Sequence, residues 1–174
     1  MPQTRGFSLV EVLVALIVMS IGLLGIAKMQ AAALSNTAIA STRSLAAIEA
    51  ASLAASMHVN RGYWSTPAVA GSILIQGTTV TPAVAPLGAG CVAAQCTPAA
   101  LAAYDLQEWT KAALQVLPPD YQAAITCTPT VTPPNCTIQI QWAEKSVAVN
   151  ENGKTQAVAD IVFNKPKYEL YVEP

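Results

Sequence analysis

The stretch FSLVEVLVALIVMSIGLLGIA, residues 7–27, decides the fold of this chain. It is an apolar run that follows the short polar leader MPQTRG and contains a single carboxylate, Glu11. An apolar segment of about 20 residues is long enough to span a bilayer as one helix. The leader is too short, and the apolar run too long, for an ordinary secretory signal peptide. We therefore expect a membrane anchor in which Glu11 has a partner or a functional role, because placing an ionised group in a membrane-spanning segment costs at least about 2.5 kcal/mol.

The order of residues at the start of this run is specific. Residues 5–11, RGFSLVE, combine a basic flank, a small residue, an aromatic residue and an acid. This order resembles the processing site and N-terminal helix of type IV prepilins. The resemblance implies that a prepilin peptidase cuts after Gly6, that the new amine on Phe7 is methylated, and that Glu11 pairs with the N-terminal amine of a neighbouring subunit. Such an ammonium group would favour the charged carboxylate; the alternative is a plain signal anchor that tolerates one acid.

A narrower resemblance extends further along the chain. Residues 6–30, GFSLVEVLVALIVMSIGLLGIAKMQ, are followed by a cysteine pair and by TPAALAAYDLQEW at 97–109. Together they resemble the PilV-type minor pilins, also called type IV pilus modification proteins, up to about residue 145 and more loosely beyond Trp109. The resemblance implies an α+β fold of the type IV pilin kind. In that fold a long N-terminal transmembrane and amphipathic helix packs on an antiparallel β-sheet head that carries a short second helix.

The expected organisation of the chain follows from the anchor. We expect a leader over 1–6, a transmembrane part of the helix over 7–28, a periplasmic half over 29–61 and a globular head over 62–174. Arg5 in the leader favours a cytoplasmic N-terminus, which places the head in the periplasm before assembly.

The long helix is predicted to run from Phe7 to about Asn60, with two apolar stripes on its second half. Two stripes suit a helix that packs both on its own head and on neighbouring helices; alternatively, both cover one broad head core. Gly62 is placed to serve as the C-cap. The first stripe is Ile39, Ala46, Ala50, Leu53 and Met57, and the second is Leu34, Ala38, Leu45 and Ile48.

The head sequence predicts one helix and a sheet. Residues 62–96 indicate an irregular segment with a candidate strand at 73–75. A helix is predicted over 98–117, because Thr97 can cap it and Pro98 can occupy its first position. Trp109 on this helix is predicted to be a core residue. The segment 121–173 predicts a meander of about four antiparallel strands. Strands are expected at 138–142, 147–149, 157–163 and 168–172, with a hairpin turn at Asn152-Gly153.

Four cysteines, all beyond the anchor, are expected to form disulfides in the oxidising periplasm. Four cysteines allow three pairings, and sequence alone does not choose among them. We favour Cys91–Cys96 and Cys127–Cys136, since the second pair would bridge strands that flank the Pro-rich turn TPTVTPPN. The alternative is a zinc site, whose spacing would be unlike the usual short knuckles.

Catalysis and nucleic-acid binding are not expected. The only histidine, His58, is interpreted as a surface residue, and there is no phosphate loop, catalytic triad spacing or metal-ligand cluster. No cofactor or metal is expected. Beyond residue 60 the chain has six basic and eight acidic residues, whereas strong nucleic-acid binding requires a basic face.

The sequence therefore predicts a minor pilin of the type IV pilus. Its role would lie in a tip or priming complex that promotes pilus assembly, adhesion and twitching motility. The implied partners are the prepilin peptidase, other minor pilins, the major pilin, the inner-membrane assembly platform and a tip adhesin. The alternatives are a minor pseudopilin of a type II secretion system, a membrane-anchored binding module that never polymerises, and an exported DNA receptor.

Overall fold

The computed structural model forms two compact units, one ending at Ile39 and the other beginning at Ala40. The described residues are 6, 8–67, 69, 71–84, 91, 95–144 and 165–174.

The first helix, α1, runs from Leu9 to Val59 with no proline in its interior. It begins directly after Ser8, whose carbonyl accepts hydrogen bonds from the backbone N–H groups of Glu11 (3.1 Å) and Val12 (3.4 Å). Alanine, leucine and other strong helix formers dominate its sequence, so local propensity and apolar pattern agree. The long apolar helix expected from the sequence is confirmed.

Beyond residue 40, one face of α1 belongs to the head core. Its buried residues are Ala46, Ala50, Leu53, Ala54 and Met57. They include all the members of the first predicted stripe that lie in the head unit. The second stripe differs, because Ile48 is 58% exposed and Leu45 is only partly buried. Leu45 nevertheless packs against the core, so the second stripe covers it only in part, and Ile48 is the member in the head unit that does not.

The end of α1 also departs from the sequence prediction. A short helix, α2, follows over Arg61–Trp64, and Gly62 lies inside it with a φ that is not positive. The predicted C-cap role of Gly62 is therefore wrong. Asn60 makes the turn instead: its carbonyl accepts two N–H groups of α2 at 3.1 and 3.3 Å, and its side-chain amide donates to the carbonyl of Pro98 at 2.8 Å. Gly62 lies close to the same proline, whose Cγ would be 3.4 Å from an added Cβ.

The third helix, α3, covers Pro98–Val116, one residue shorter than the helix predicted from the sequence. The Thr97 hydroxyl oxygen accepts a hydrogen bond from the N–H of Ala100 at 3.2 Å, and Pro98 occupies the first helical position. The cap satisfies one of the N–H groups that a helix start leaves without an internal partner.

Five antiparallel strands form one sheet among the described residues, in the order β2-β1-β3-β4-β5. The strands are β1 Ser72–Gln76, β2 Thr79–Thr81, β3 Gln122–Thr128, β4 Asn135–Gln141 and β5 Lys167–Val172. The strands predicted at 138–142 and 168–172 correspond to β4 and β5.

The β1–β2 hairpin is the main correction to the predicted head. The sequence pattern indicates an irregular segment over 62–96 with one candidate strand at 73–75, and β1 confirms that strand. The pairing of β1 with β2, which extends the sheet beyond 121–173, was not predicted. Gly77 makes the turn with a φ of +57°, a left-handed conformation that favours glycine. The predicted Asn152-Gly153 hairpin and its strands at 147–149 and 157–163 lie outside the described residues.

The head core lies between the inner face of the sheet and the helices α1 and α3. Trp109 is buried in it, and its ring meets Tyr121 edge-on at 6.3 Å between centroids. The indole Nε1 of Trp109 donates to the carbonyl of Glu49 at 2.9 Å, which connects α3 to α1. The prediction of Trp109 as a core residue is confirmed.

An ion pair joins α1 to the segment after β4. The Nε and Nη2 atoms of Arg43 each donate to one carboxylate oxygen of Glu144 at 2.9 Å. The indole Nε1 of Trp142 donates to the same carboxylate at 3.2 Å. The hydrogen bonds from Arg43, partly opposed by burial, lower the pKa of the Glu144 carboxyl. Two parallel bonds to one carboxylate fix its orientation as well as its distance.

We expect Leu53→Ala to lower the free energy of unfolding by about 2–5 kcal/mol, because the side chain is 1% exposed in the core. Ile48→Ala on the same helix is the matched control, and its effect should stay within about 0.5 kcal/mol. Urea denaturation of the full chain in detergent, followed by tryptophan fluorescence, measures both. Equal losses in the two variants would contradict this placement of the core.

The Glu144 ion pair should make stability depend on pH in the acid range. Because the pKa of Glu144 is lower in the folded chain, its contribution is complete above the unfolded pKa of about 4.3 and is lost as the pH falls through the folded value. Glu144→Gln should therefore lower the urea midpoint at neutral pH, and its difference from the parent should shrink toward about pH 3. Glu173→Gln, at an exposed carboxylate, serves as the control. A pH-independent difference for Glu144→Gln would refute the role given to this pair.

Candidate functional site

The first part of α1 is apolar on all sides. An 18-residue window in this helix has a mean hydropathy of 2.7, and none of that window is buried within the chain. Among the described residues it is the one helix that is long and apolar enough to cross a membrane. A helix that is apolar all round requires lipid or other apolar helices around it. The exposed side chains include Leu9, Val10, Val12, Leu13, Leu16, Ile17, Ile21 and Leu24.

Polar groups within this apolar part differ in whether the helix satisfies them. The Ser20 hydroxyl donates to the carbonyl of Leu16 at 2.7 Å, so the helix itself supplies its partner. Glu11 lies in the first turn, and within the described part of the chain its carboxylate has no hydrogen bond or ion pair. The positive end of the helix dipole favours a carboxylate there. Glu11 is therefore the group of this segment that can accept a cation from outside the chain.

The predicted processing residues lie next to this turn. Gly6 is exposed, and an added Cβ would meet nothing within 4 Å. Phe7 and leader residues 1–5 lie outside the described residues. The structure thus places Gly6 and Glu11 at the same end of α1, and it describes no geometry for the methylation position.

The four cysteines form two disulfides, Cys91–Cys96 and Cys127–Cys136, which is the pairing favoured from the sequence. The second disulfide joins directly opposed residues of β3 and β4 on the buried face of the sheet. The first closes a short loop before α3. Because no cysteine is free, the thiolates that a zinc site would need are not available.

A groove between α1 and α3 contains two acidic side chains of α3. Two serines of α1 line it together with Asp105, Glu108 and Trp109 of α3. Burial raises the pKa of the Asp105 carboxyl and also that of Glu49 on α1. The described residues contain no cluster of three or more His, Cys, Asp or Glu side chains that could hold a metal ion. His58 is exposed, as the sequence predicted.

Besides the β1–β2 hairpin, sequence reasoning missed two features of the head. The Arg43–Glu144 pair joins residues 101 positions apart, so no local pattern indicates it. The outward face of the sheet carries glutamines on adjacent strands. The alternation at Gln139 and Gln141 predicted a solvent-exposed face, but it did not predict that glutamines of other strands lie beside them.

Comparison with known families identifies the prokaryotic N-terminal methylation motif over residues 1–27. No curated protein and no solved structure matches the chain. The motif points to a structural protein that the prepilin peptidase processes and that is anchored in the membrane before it joins a pilus or pseudopilus. With the long apolar helix and the antiparallel sheet, it supports a type IV pilin-like or pseudopilin protein with a pilin-like α+β fold.

Proposed function

We propose that this chain is a minor pilin of the type IV pilus, of the PilV type, that acts in a tip or priming complex and promotes assembly, adhesion and twitching motility. The observation that carries the proposal is an apolar helix segment, exposed on all sides, whose first-turn carboxylate Glu11 has no partner among the described residues. Such a helix is stable in lipid before assembly and among other apolar helices after it.

The chemistry of joining lies at the start of α1. Cleavage after Gly6 creates an N-terminal amine on Phe7, and methylation keeps this amine basic. Glu11 of one subunit then pairs with the amine of its neighbour as the helices come together. A hydrogen bond to a charged group contributes about 1.5–3 kcal/mol, and more is lost if either charge stays unpaired in an apolar environment. The pair therefore favours one register of neighbouring helices over others.

The exposed Ile48 on the head part of α1 supports contact with further subunits. Ile48 is 58% exposed although the opposite face of the same helix is buried in the head. Packing of this face on a neighbouring helix would remove apolar surface from water, at about 25 cal/mol per Å². The expected neighbours are other minor pilins and the major pilin.

We propose that the chain lies in two different places, one before assembly and one after it. Before assembly the chain is a single-pass protein of the inner membrane with its head in the periplasm, where the prepilin peptidase and the assembly platform act on it. After assembly it lies in the extracellular pilus, at the tip, where it can contact an adhesin. The disulfide between β3 and β4 suits the head to an oxidising compartment.

A minor pseudopilin of a type II secretion system is the second candidate, because the methylation motif over residues 1–27 supports it equally. The two candidates differ in the machine that the chain joins. Deleting the gene and scoring twitching and surface pili separately from protein secretion distinguishes them. Loss of secretion with intact pili would replace the pilus proposal by the pseudopilin one.

Processing should change the mass of the mature chain in two ways. Cleavage removes residues 1–6, and methylation adds one methyl group to the amine of Phe7. Mass spectrometry of the chain from cells with and without the prepilin peptidase measures both changes. Gly6→Leu should leave the leader attached, because the enlarged side chain occupies the cleavage position, whereas Gly71→Ala in the head is the control. A mature chain that retains residues 1–6 in normal cells would refute the proposal.

Glu11→Ala should reduce incorporation into pili at least about tenfold, which corresponds to loss of one charged hydrogen bond of about 1.5 kcal/mol. Membrane insertion should be unchanged, because alanine makes the apolar run more uniform. Quantitative blotting of sheared pili and of membranes measures the two fractions, with Glu173→Ala as the control. If Glu11→Ala chains enter pili normally, the pairing role of Glu11 is refuted; if the parent chain itself is absent from sheared pili, the chain is a membrane-anchored module that does not polymerise.

A further inference from the structure

We propose that the outward face of the head sheet binds a neutral oligosaccharide, in a hollow centred on Ala124. The hollow has a volume of about 170 Å³ and opens to solvent on the central strands β1, β3 and β4. This inference goes beyond assembly and does not rest on the proposed pilin role.

The register of the strands builds the hollow. Gln76, Gln122 and Gln141 are directly opposed on β1, β3 and β4, so their amides form one row across the sheet. In the next row, Leu74 and Gln139 lie on either side of Ala124. Because Ala124 is the smallest of these side chains, it forms a floor below the surrounding amides.

The hydrogen-bonding groups of the rim are only partly used within the protein. The Gln141 amide Nε2 donates to Gln122 Oε1 at 2.9 Å, and Gln139 Nε2 donates to Glu169 Oε1 at 2.8 Å. In the part of the chain that the structure describes, the remaining amide N–H and carbonyl groups of Gln76, Gln122 and Gln141 have no partner. The amides of Gln122 and Gln141 are therefore fixed by their mutual hydrogen bond and offer their remaining donors and acceptors to a ligand. Vicinal hydroxyl groups of a sugar need both kinds of partner.

The charge of the face selects the class of ligand. The outward-facing residues of β1, β2, β3 and β4 are all uncharged, being threonine, serine, glutamine and asparagine together with Leu74 and Ala124. On β5, the Nζ atom of Lys167 is neutralised by Glu169 Oε1 at 2.8 Å. A nucleic acid or a sulfated or phosphorylated ligand would require unpaired cations. A neutral ligand does not need such cations.

The apolar part of the hollow fits the C–H face of a sugar ring. Leu74 is 54% exposed beside Ala124, so aliphatic surface meets the C–H face of a pyranose ring while its hydroxyl groups reach the amides. Tyr171 on β5 is 77% exposed one row further along the same face. It lies roughly 12 Å from Ala124 by strand spacing and rise. An aromatic ring at that distance would contact another sugar unit of the chain, which favours an oligosaccharide over a monosaccharide.

Isothermal titration of the full chain in detergent with cellohexaose, maltohexaose and a heparin-derived hexasaccharide tests the proposal. We expect at least one neutral hexasaccharide to bind, and the sulfated one to bind at least roughly tenfold more weakly. Gln122→Ala and Tyr171→Ala should each weaken neutral binding about tenfold. Thr128→Ala, at the far end of the same face, is the matched control and should leave binding unchanged. Circular dichroism checks that each variant is folded.

Four results would overturn the proposal: no binding of either neutral probe at millimolar concentration, equal or tighter binding of the sulfated probe, equal losses in Thr128→Ala, or self-association of the chain that Gln122→Ala abolishes. The last result would assign the face to a second copy of the chain. Glu11→Ala should bind the neutral probe normally, so a failure of the assembly proposal is distinguishable from a failure of this one.

Discussion

The rest of the structure depends on one constraint on α1. The first part of this helix is apolar on all sides, whereas the part beyond residue 40 is buried on one side only. A uniform apolar surface is stable only where water is absent, so the first part of the helix needs lipid or other helices. Beyond residue 40 only the face that contains Ala50 and Leu53 is buried. One helix therefore provides the membrane segment and one wall of the head core.

The head core follows from that wall. Three alanines on the buried face of α1 leave room for large side chains from the other elements, and Trp64, Tyr121 and Trp142 are among the largest that are fully buried. The Trp142 ring does more than fill space, because its indole also hydrogen-bonds the carboxylate that Arg43 binds. Packing and electrostatics thus act at the same junction between α1 and the end of β4. The bidentate ion pair fixes the orientation of the segment after β4 relative to α1, in addition to the packing.

The parts of this fold that could be predicted from sequence are those that depend on local physics. The α1 and α3 helices follow from periodicity, the absence of internal proline and the Thr97-Pro98 start. The strand at 73–75 was anticipated, but its pairing with β2 was missed because the turn depends on one glycine, Gly77, inside a segment rich in other glycines and prolines. Gly62 was misassigned because the chain continues as α2 after Asn60, and the Asn60 side-chain amide bonds the carbonyl of Pro98, which is remote in sequence. The role proposed for Glu11 rests on the order of neighbouring residues and on the cost of a charge in an apolar run, neither of which requires three-dimensional structure.

The two proposed activities use different chemistry, and this separates them physically. Assembly needs a charge in an apolar environment, where pairing is strong because water does not compete. Recognition on the sheet needs the reverse, a neutral face in water, where each amide gains little and several must act together. The row of Gln76, Gln122 and Gln141 supplies such a set, and the antiparallel register fixes its spacing. A substitution on that face removes hydrogen bonds without touching the buried face, since side chains alternate between the two faces along each strand. Ligand recognition could therefore vary in a pilin-like head while its core packing is preserved.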